Sequence, residues 1–124
     1  MKLRLKDNTI RIRLSMPEVE GLILNGHIQS QTQFPGEQKL VTRISLDNQQ
    51  GAMVHFTDGH LNIHLPKSIL GDWHLDEQVS HEWNLPLSGS DDFYLLVEKD
   101  FKCLTERPKE DESSLFPNPN ESHG

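Results

Sequence analysis

The stretch LRLKDNTIRIRL, residues 3–14, alternates apolar and basic residues on both sides of Asp7-Asn8. Alternation with a period of two is typical of a strand with one face in the core, and a two-residue turn between two such strands predicts a β-hairpin. With Asp7-Asn8 as the turn, the apolar side chains enter the core and five cations share the opposite side of the hairpin, here called the basic face. These cations are Lys2, Arg4, Lys6, Arg11 and Arg13.

A negatively charged group is expected beside the basic face. The hairpin register places Arg4 opposite Arg11 and Lys2 opposite Arg13, and like charges in directly opposed positions destabilise a sheet unless anions lie between them. Three sources of negative charge are open: acidic side chains of this chain, a phosphorylated or carboxylated ligand, or another protein. The imbalance is local, because residues 1–14 carry a net charge of +4 in a chain whose formal net charge is −7.

Length and charge narrow the class of protein. A chain of 124 residues fits one domain, and its net negative charge argues against non-specific binding to nucleic acid. Cys103 is the only cysteine, which excludes an internal disulfide and favours a reducing compartment. No apolar run approaches the about 20 residues that span a bilayer, and no signal peptide is evident, so we expect a cytoplasmic location without membrane contact.

The rest of the chain is predicted to contain one helix, further strands and a tail. A helix is predicted over residues 16–25 from the Ser15 cap, the proline that follows it and Gly26, and a second tight hairpin about Asp58-Gly59. The predicted fold class is α+β: a mostly antiparallel sheet or barrel of about eight strands, with one short helix after the first hairpin. Residues 1–104 form the domain, and residues 105–124 form a polar acidic tail.

The second hairpin presents histidines. Its register predicts Val54, Phe56, Leu61 and Ile63 on the buried side and three imidazoles together on the other side, where His55 is diagonal to both of the others. Such a group could bind zinc, copper or nickel, although histidine is equally acceptable on a solvated strand face. The candidate metal ligands are His55, His60 and His64.

Two other groups of reactive residues give weaker evidence for a metal site or a catalytic site. The stretch HLDEQVSHEW contains metal-ligand types but lacks the second histidine of the zinc-protease pattern, so His81 is predicted to be a core or rim histidine. Cys103 has Arg107 four residues later, whereas a cysteine phosphatase needs a phosphate-binding loop with a more distant arginine. No motif for a cofactor is present, and none is predicted.

Three stretches carry a resemblance to a known family. The opening MKLRLKDNTIRIRLS, then YLLVEKDFKCL and ERPKEDESSLFPNP, resemble a small family of uncharacterised bacterial proteins classed as a domain of unknown function. The resemblance covers nearly the whole chain. It implies a compact bacterial single-domain protein, and it implies no reaction, ligand or site residue.

The sequence favours a binding or interaction domain whose basic face pairs with an anionic small molecule, an acidic partner segment, or the tail of the same chain. The alternative is a metal-assisted hydrolase of phosphorylated small molecules, in which a closed barrel would turn the cations inward, and a purely structural or assembly role is the third interpretation. Residues that would extend such a lining are Lys39, Arg43, Glu98 and Lys99. The tail residues expected against the basic face are Glu106, Glu110, Asp111 and Glu112.

Overall fold

A computed structural model describes residues 1–89 and 91–101 and contains eight strands and two helices within them. The predicted α+β class is confirmed, and so are both tight hairpins. Cys103 and the tail 105–124 lie outside the described residues. The elements are β1 (Lys2–Lys6), β2 (Thr9–Leu14), α1 (Met16–Asn25), β3 (His27–Phe34), β4 (Gln38–Asp47), β5 (Met53–Thr57), β6 (His60–Pro66), α2 (Lys67–Leu70), β7 (Ser80–Pro86) and β8 (Asp92–Lys99).

Helix α1 begins and ends where its capping residues predict. The Ser15 hydroxyl accepts a hydrogen bond from the Glu18 backbone N–H, and the Glu18 side chain accepts one from the Ser15 N–H, which is a complete capping box. Gly26 ends the helix with φ of 88°, a conformation that glycine adopts without steric cost. The longest described helix is this one of ten residues, so within the described ranges no helix is long and apolar enough to cross a membrane.

The strands form two four-stranded sheets rather than a barrel. The first sheet has the order β1-β2-β8-β7 and the second has the order β3-β4-β6-β5. Four of the six pairings are antiparallel, as predicted, whereas the central pairs β2/β8 and β4/β6 are parallel. The barrel alternative is therefore wrong, because each sheet is two hairpins joined through a parallel central pair and keeps two free edges.

The two halves of the chain have the same topology. Each half consists of a hairpin, a helix and a second hairpin, and exchanging the halves converts the strand order of one sheet into that of the other. The first hairpin of each half also matches residue for residue: Leu5 corresponds to Phe56 and Arg4 to His55. The basic face and the histidine-bearing face are thus equivalent surfaces on opposite sheets.

The core lies between the inner faces of the sheets. Alternate residues of the central strands, such as Ile12, Ile44, Ile63 and Val97, are fully buried in one cluster. All four hairpin connections lie at one end of the sheets, here called the turn end, because the central strands all start there. Both helices follow central strands at the opposite helix end, where Trp73 is also fully buried.

Phe56 corrects one expectation about the second hairpin. Its register and direction are as predicted, and Leu61 and Ile63 are buried, but Phe56 remains 63% exposed. Phe56 lies on an edge strand at the turn end, where no helix of the described residues covers the space between the sheets. Strand alternation predicts the direction of a side chain, but burial also requires a neighbour to cover it.

Candidate functional site

The basic face forms as predicted, on the outer side of the first sheet. Strand β1 pairs with β2 so that Lys2 opposes Arg13 and Arg4 opposes Arg11. Ile10 and Ile12 between these cations point inward and are buried, which directs the basic side chains away from the core. The alternating pattern of the sequence therefore places all five cations on one surface.

Glu98 lies between two of the cations. Strand β8 runs parallel to β2 with Glu98 beside Arg13, and its Oε2 accepts hydrogen bonds from Arg11 Nε at 2.7 Å and Arg13 Nε at 2.8 Å. Partial burial alone would raise the pKa of the Glu98 carboxyl, but the hydrogen bonds from Arg13 and Arg11 outweigh it and lower that pKa below its ordinary value. Glu98 is thus ionised at neutral pH and neutralises part of the basic face.

Three cations of the basic face have partners, and two do not among the described residues. Lys2 Nζ lies 2.8 Å from Asp100 Oδ2, which adds a second internal carboxylate. Within residues 1–89 and 91–101, no carboxylate lies at ion-pair distance from Arg4 or Lys6. Acidic side chains among the described residues therefore neutralise only part of the positive charge of the basic face.

A depression surrounds the two remaining cations. It has a volume of about 310 Å³ and is lined by Arg4, Lys6 and Arg11 together with Thr9, Tyr94 and the exposed side of Leu96. The Tyr94 hydroxyl donates a hydrogen bond to Glu82, so the carboxylate of Glu82 also borders this surface, from β7. The depression has room for a carboxylate or phosphate group between the cations.

An apolar cleft opens beside the basic face at the turn end. This turn-end cleft has a volume of about 470 Å³ and separates the inner faces of the two sheets. Leu5 is 63% exposed there, as is its counterpart Phe56 on the other sheet. Further side chains that line it include Ile10, Leu40, Leu61 and Phe93. Sequence reasoning missed the cleft, because Leu5 and Phe56 have the same alternation as buried residues.

The three candidate metal ligands lie on the outer side of the second sheet but do not converge. The rings of His55 and His64 stack with centroids 5.6 Å apart, and His64 Nδ1 is 3.8 Å from Asp47 Oδ2. His60 instead makes a hydrogen bond of 3.0 Å between its Nδ1 and the Asp58 carbonyl in its own turn. In the part of the chain that is described, no three His, Cys, Asp or Glu side chains are grouped closely enough to hold a metal ion.

His81 occupies the core or rim position expected of it. Its ring lies edge-on to Trp73 with centroids 5.0 Å apart, and is stacked on Trp83 at 6.2 Å. Burial lowers the pKa of His81 below its ordinary value, while Asp76 opposes that shift and Lys99 adds to it. These contacts indicate a packing role for this histidine.

The residues proposed to extend a phosphate-binding lining do not meet. Glu98 lies on the outer side of the first sheet, while Lys39 and Arg43 point outward from the second. Lys99 pairs with Asp76, its Nζ 3.7 Å from Oδ1, near Trp73 at the helix end. No tunnel forms from these side chains, because Lys39, Arg43 and Glu98 point away from the space between the sheets, and Lys99 lies over Trp73 at the helix end.

The fold and the site define a class: a small α+β protein of two mixed sheets, with a basic outer face and an apolar cleft at one end. The chain belongs to the DUF7009 family, a family of unknown function whose model matches residues 1–120. The expected membership of a family of unknown function is thereby confirmed. Comparison with curated proteins found no match, and comparison with solved structures found none either.

Proposed function

We propose that this protein is a non-catalytic binding domain that holds an anionic group in the depression of the basic face. The single observation that carries the proposal is the unequal neutralisation of that face. Glu98 and Asp100 pair with three cations, whereas Arg4 and Lys6 border the depression and have no carboxylate at ion-pair distance among the described residues. Two adjacent cations without an internal counter-charge favour binding of an external one.

The arrangement of the cations favours a multivalent acidic ligand. Arg4 and Lys6 are two residues apart on the same side of β1, so their side chains are spaced along an edge strand. A segment with several carboxylates can place one beside each cation, whereas a single small anion between the cations has to share its charge between the two. The proposed ligand is therefore an acidic protein segment, from a partner or from this chain, with a small phosphorylated molecule as the other source of the same charge.

The location of this function is part of the proposal. We place it in a bacterial cytoplasm, where a chain with one cysteine in 124 residues remains reduced. Metal-assisted hydrolysis, the alternative from the sequence, has less support, because His55 and His64 lie on the sheet opposite Arg4 and belong to no group of three ligand side chains that could hold a metal ion among the described residues.

A titration of the full chain with a short polyglutamate peptide tests the proposal. The double variant R4Q/K6Q is expected to weaken binding by about tenfold, because each exposed ion pair contributes up to about 1 kcal/mol. The matched control is K39Q/K67Q, which removes the same net charge from exposed positions outside the basic face. Titration with pyrophosphate in parallel distinguishes an acidic segment from a phosphorylated ligand as the preferred source of charge.

Equal weakening by the two double variants would contradict the proposal, since it would mean that only the overall charge matters. Binding that survives high salt would contradict it as well, because attraction between exposed charges is screened.

A further inference from the structure

We propose that Leu115 and Phe116 of the same chain occupy the turn-end cleft, and that Glu110, Asp111 and Glu112 then lie against Arg4 and Lys6. The inference rests on the proposed function and names the acidic segment as one that this chain carries itself. The occupant is chosen by three properties of the molecule: the adjacency of the two surfaces, the order of residues along the chain, and the length of chain after Phe101.

The two surfaces are adjacent across one edge strand. Arg4 and Lys6 point outward from β1, and Leu5 between them lines the turn-end cleft. Because β1 is the edge of its sheet, no further strand separates the depression from the cleft on that side. A ligand that passes around this edge therefore meets cations first and apolar side chains a few ångströms later.

The chain after Phe101 carries the matching features in the matching order. Its only large apolar side chains beyond Leu104 are Leu115 and Phe116, and they follow the acidic run 110–112 after two serines. An extended segment of three residues covers about 10 Å, the distance between stacked sheets and of the same order as the thickness of one sheet with its side chains. The spacing allows both contacts to form at once.

The length of chain is sufficient to reach the cleft. Strand β8 leads from the turn end to Lys99, so Phe101 lies about 26 Å along the sheet from Phe93 in the cleft. The thirteen residues 102–114 span up to about 43 Å when extended. Pro117 and Pro119 restrict the chain just beyond the apolar pair, which lowers the entropy lost when that pair binds.

Burial of apolar surface supplies the driving force. Leu5 and Phe56 expose 63% of their surface in a concave site, and a leucine and a phenylalanine fit a cleft of about 470 Å³. The charged contacts alone would be weak in salt, whereas the apolar contacts persist. The segment would therefore act as an internal competitor for acidic ligands of the basic face.

Methyl NMR spectra of the full chain test the inference. The variant L115A/F116A is expected to shift the methyl resonances of Leu5, Val54 and Leu61, which line the cleft, and to leave those of Leu14 and Leu65 unchanged. The control N118A/N120A changes two polar residues of the same segment and is expected to shift none of them. The shifts should be independent of protein concentration, since the contact is within one chain.

Two results would overturn the inference. Cleft methyl resonances that are identical in L115A/F116A and the unsubstituted chain would exclude these residues as the occupant. Shifts that grow with protein concentration would assign the cleft to a second copy. Polyglutamate titration distinguishes failure of this inference from failure of the proposed function. If R4Q/K6Q still weakens polyglutamate binding, the basic face remains an anion site and only the occupant of the cleft is wrong.

Discussion

Glu98 shows how one side chain sets the charge of a surface. It comes from a strand distant in sequence, and its carboxylate, only 13% exposed, receives hydrogen bonds from both Arg11 and Arg13. Two guanidinium groups on one carboxylate outweigh the cost of its partial burial, which is why the pKa of Glu98 is lowered. Arg11 and Arg13 thus have a structural role, and within residues 1–89 and 91–101 the positive charge that has no ion-pair partner lies at Arg4 and Lys6.

Glu98→Gln is expected to lower the free energy of unfolding at neutral pH by about 1 kcal/mol, after allowance for solvent around the partly exposed arginines. Because the folded-state pKa of Glu98 lies below the unfolded value, its stabilisation is present above the unfolded pKa of about 4.5 and is lost as the pH falls through the folded value. Urea unfolding across the acid range should therefore show a shallower loss of stability in the variant.

The exposed Glu77→Gln variant serves as the control for this measurement and should follow the unsubstituted chain at every pH. If the acid loss of stability has the same slope with and without Glu98, the two arginine contacts do not contribute as described.

At the scale of elements, the hairpins are determined by their turns. Asp58 and Gly59 have φ values of 50° and 75°, the positive pair that a type I′ turn requires. The Gly59 carbonyl also accepts a hydrogen bond from the Val41 N–H at 2.8 Å, which ties this turn to the neighbouring parallel strand. The turn thus fixes both the register of its own hairpin and the start of the central parallel pair.

Gly59→Ala is expected to destabilise the protein by about 2 kcal/mol. An alanine Cβ at this position would lie 2.7 Å from the Lys39 carbonyl oxygen, in addition to the strain of the positive φ. Gly36→Ala provides a matched control, because φ is also positive there, at 91°, and nothing lies within 4 Å of a Cβ at that position. Equal denaturation midpoints for the two variants would show that the close approach to Lys39 is relieved without cost.

At the scale of the whole molecule, the two ends of the sheets differ. The helix end is closed by Leu22 of α1, Leu70 of α2 and Trp73, all essentially without exposed surface. The turn end has no helix among the described residues, and apolar side chains border open space there. A closed end contributes to stability, and exposed apolar surface of the kind seen at the turn end is typical of interaction sites.

Two leucines on equivalent sides of the sheets test this difference. Leu65→Ala is expected to cost about 3 kcal/mol, because Leu65 is fully buried and its removal leaves a cavity. Leu5→Ala, made in a chain that already carries L115A/F116A, is expected to cost at most about 1 kcal/mol, since the described residues leave most of the Leu5 surface exposed. Chemical denaturation of the two variants measures the loss of unfolding free energy for each. Similar losses would mean that the turn end is as tightly packed as the helix end.

Local features of this protein follow from its sequence. The registers of both tight hairpins, the limits of α1 and the position of the five cations on one surface all depend on residues close together in the chain. A two-residue turn and a strict alternation leave one register that buries the apolar side, and a capping box marks where a helix begins. The predicted β-rich α+β class rests on the same local patterns, whereas the predicted family of unknown function rested on the resemblance of three stretches of the sequence.

Only the tertiary structure decided how the hairpins combine. The parallel pairing of β2 with β8 joins residues more than eighty positions apart, and through it Glu98 reaches Arg11 and Arg13. It also decided that Phe56 is exposed, because its strand forms an edge at the uncovered end. Alternation specifies which side of a strand is apolar, but the choice of distant partner depends on packing summed over the whole core and on the entropy of closing long loops, neither of which a local pattern contains.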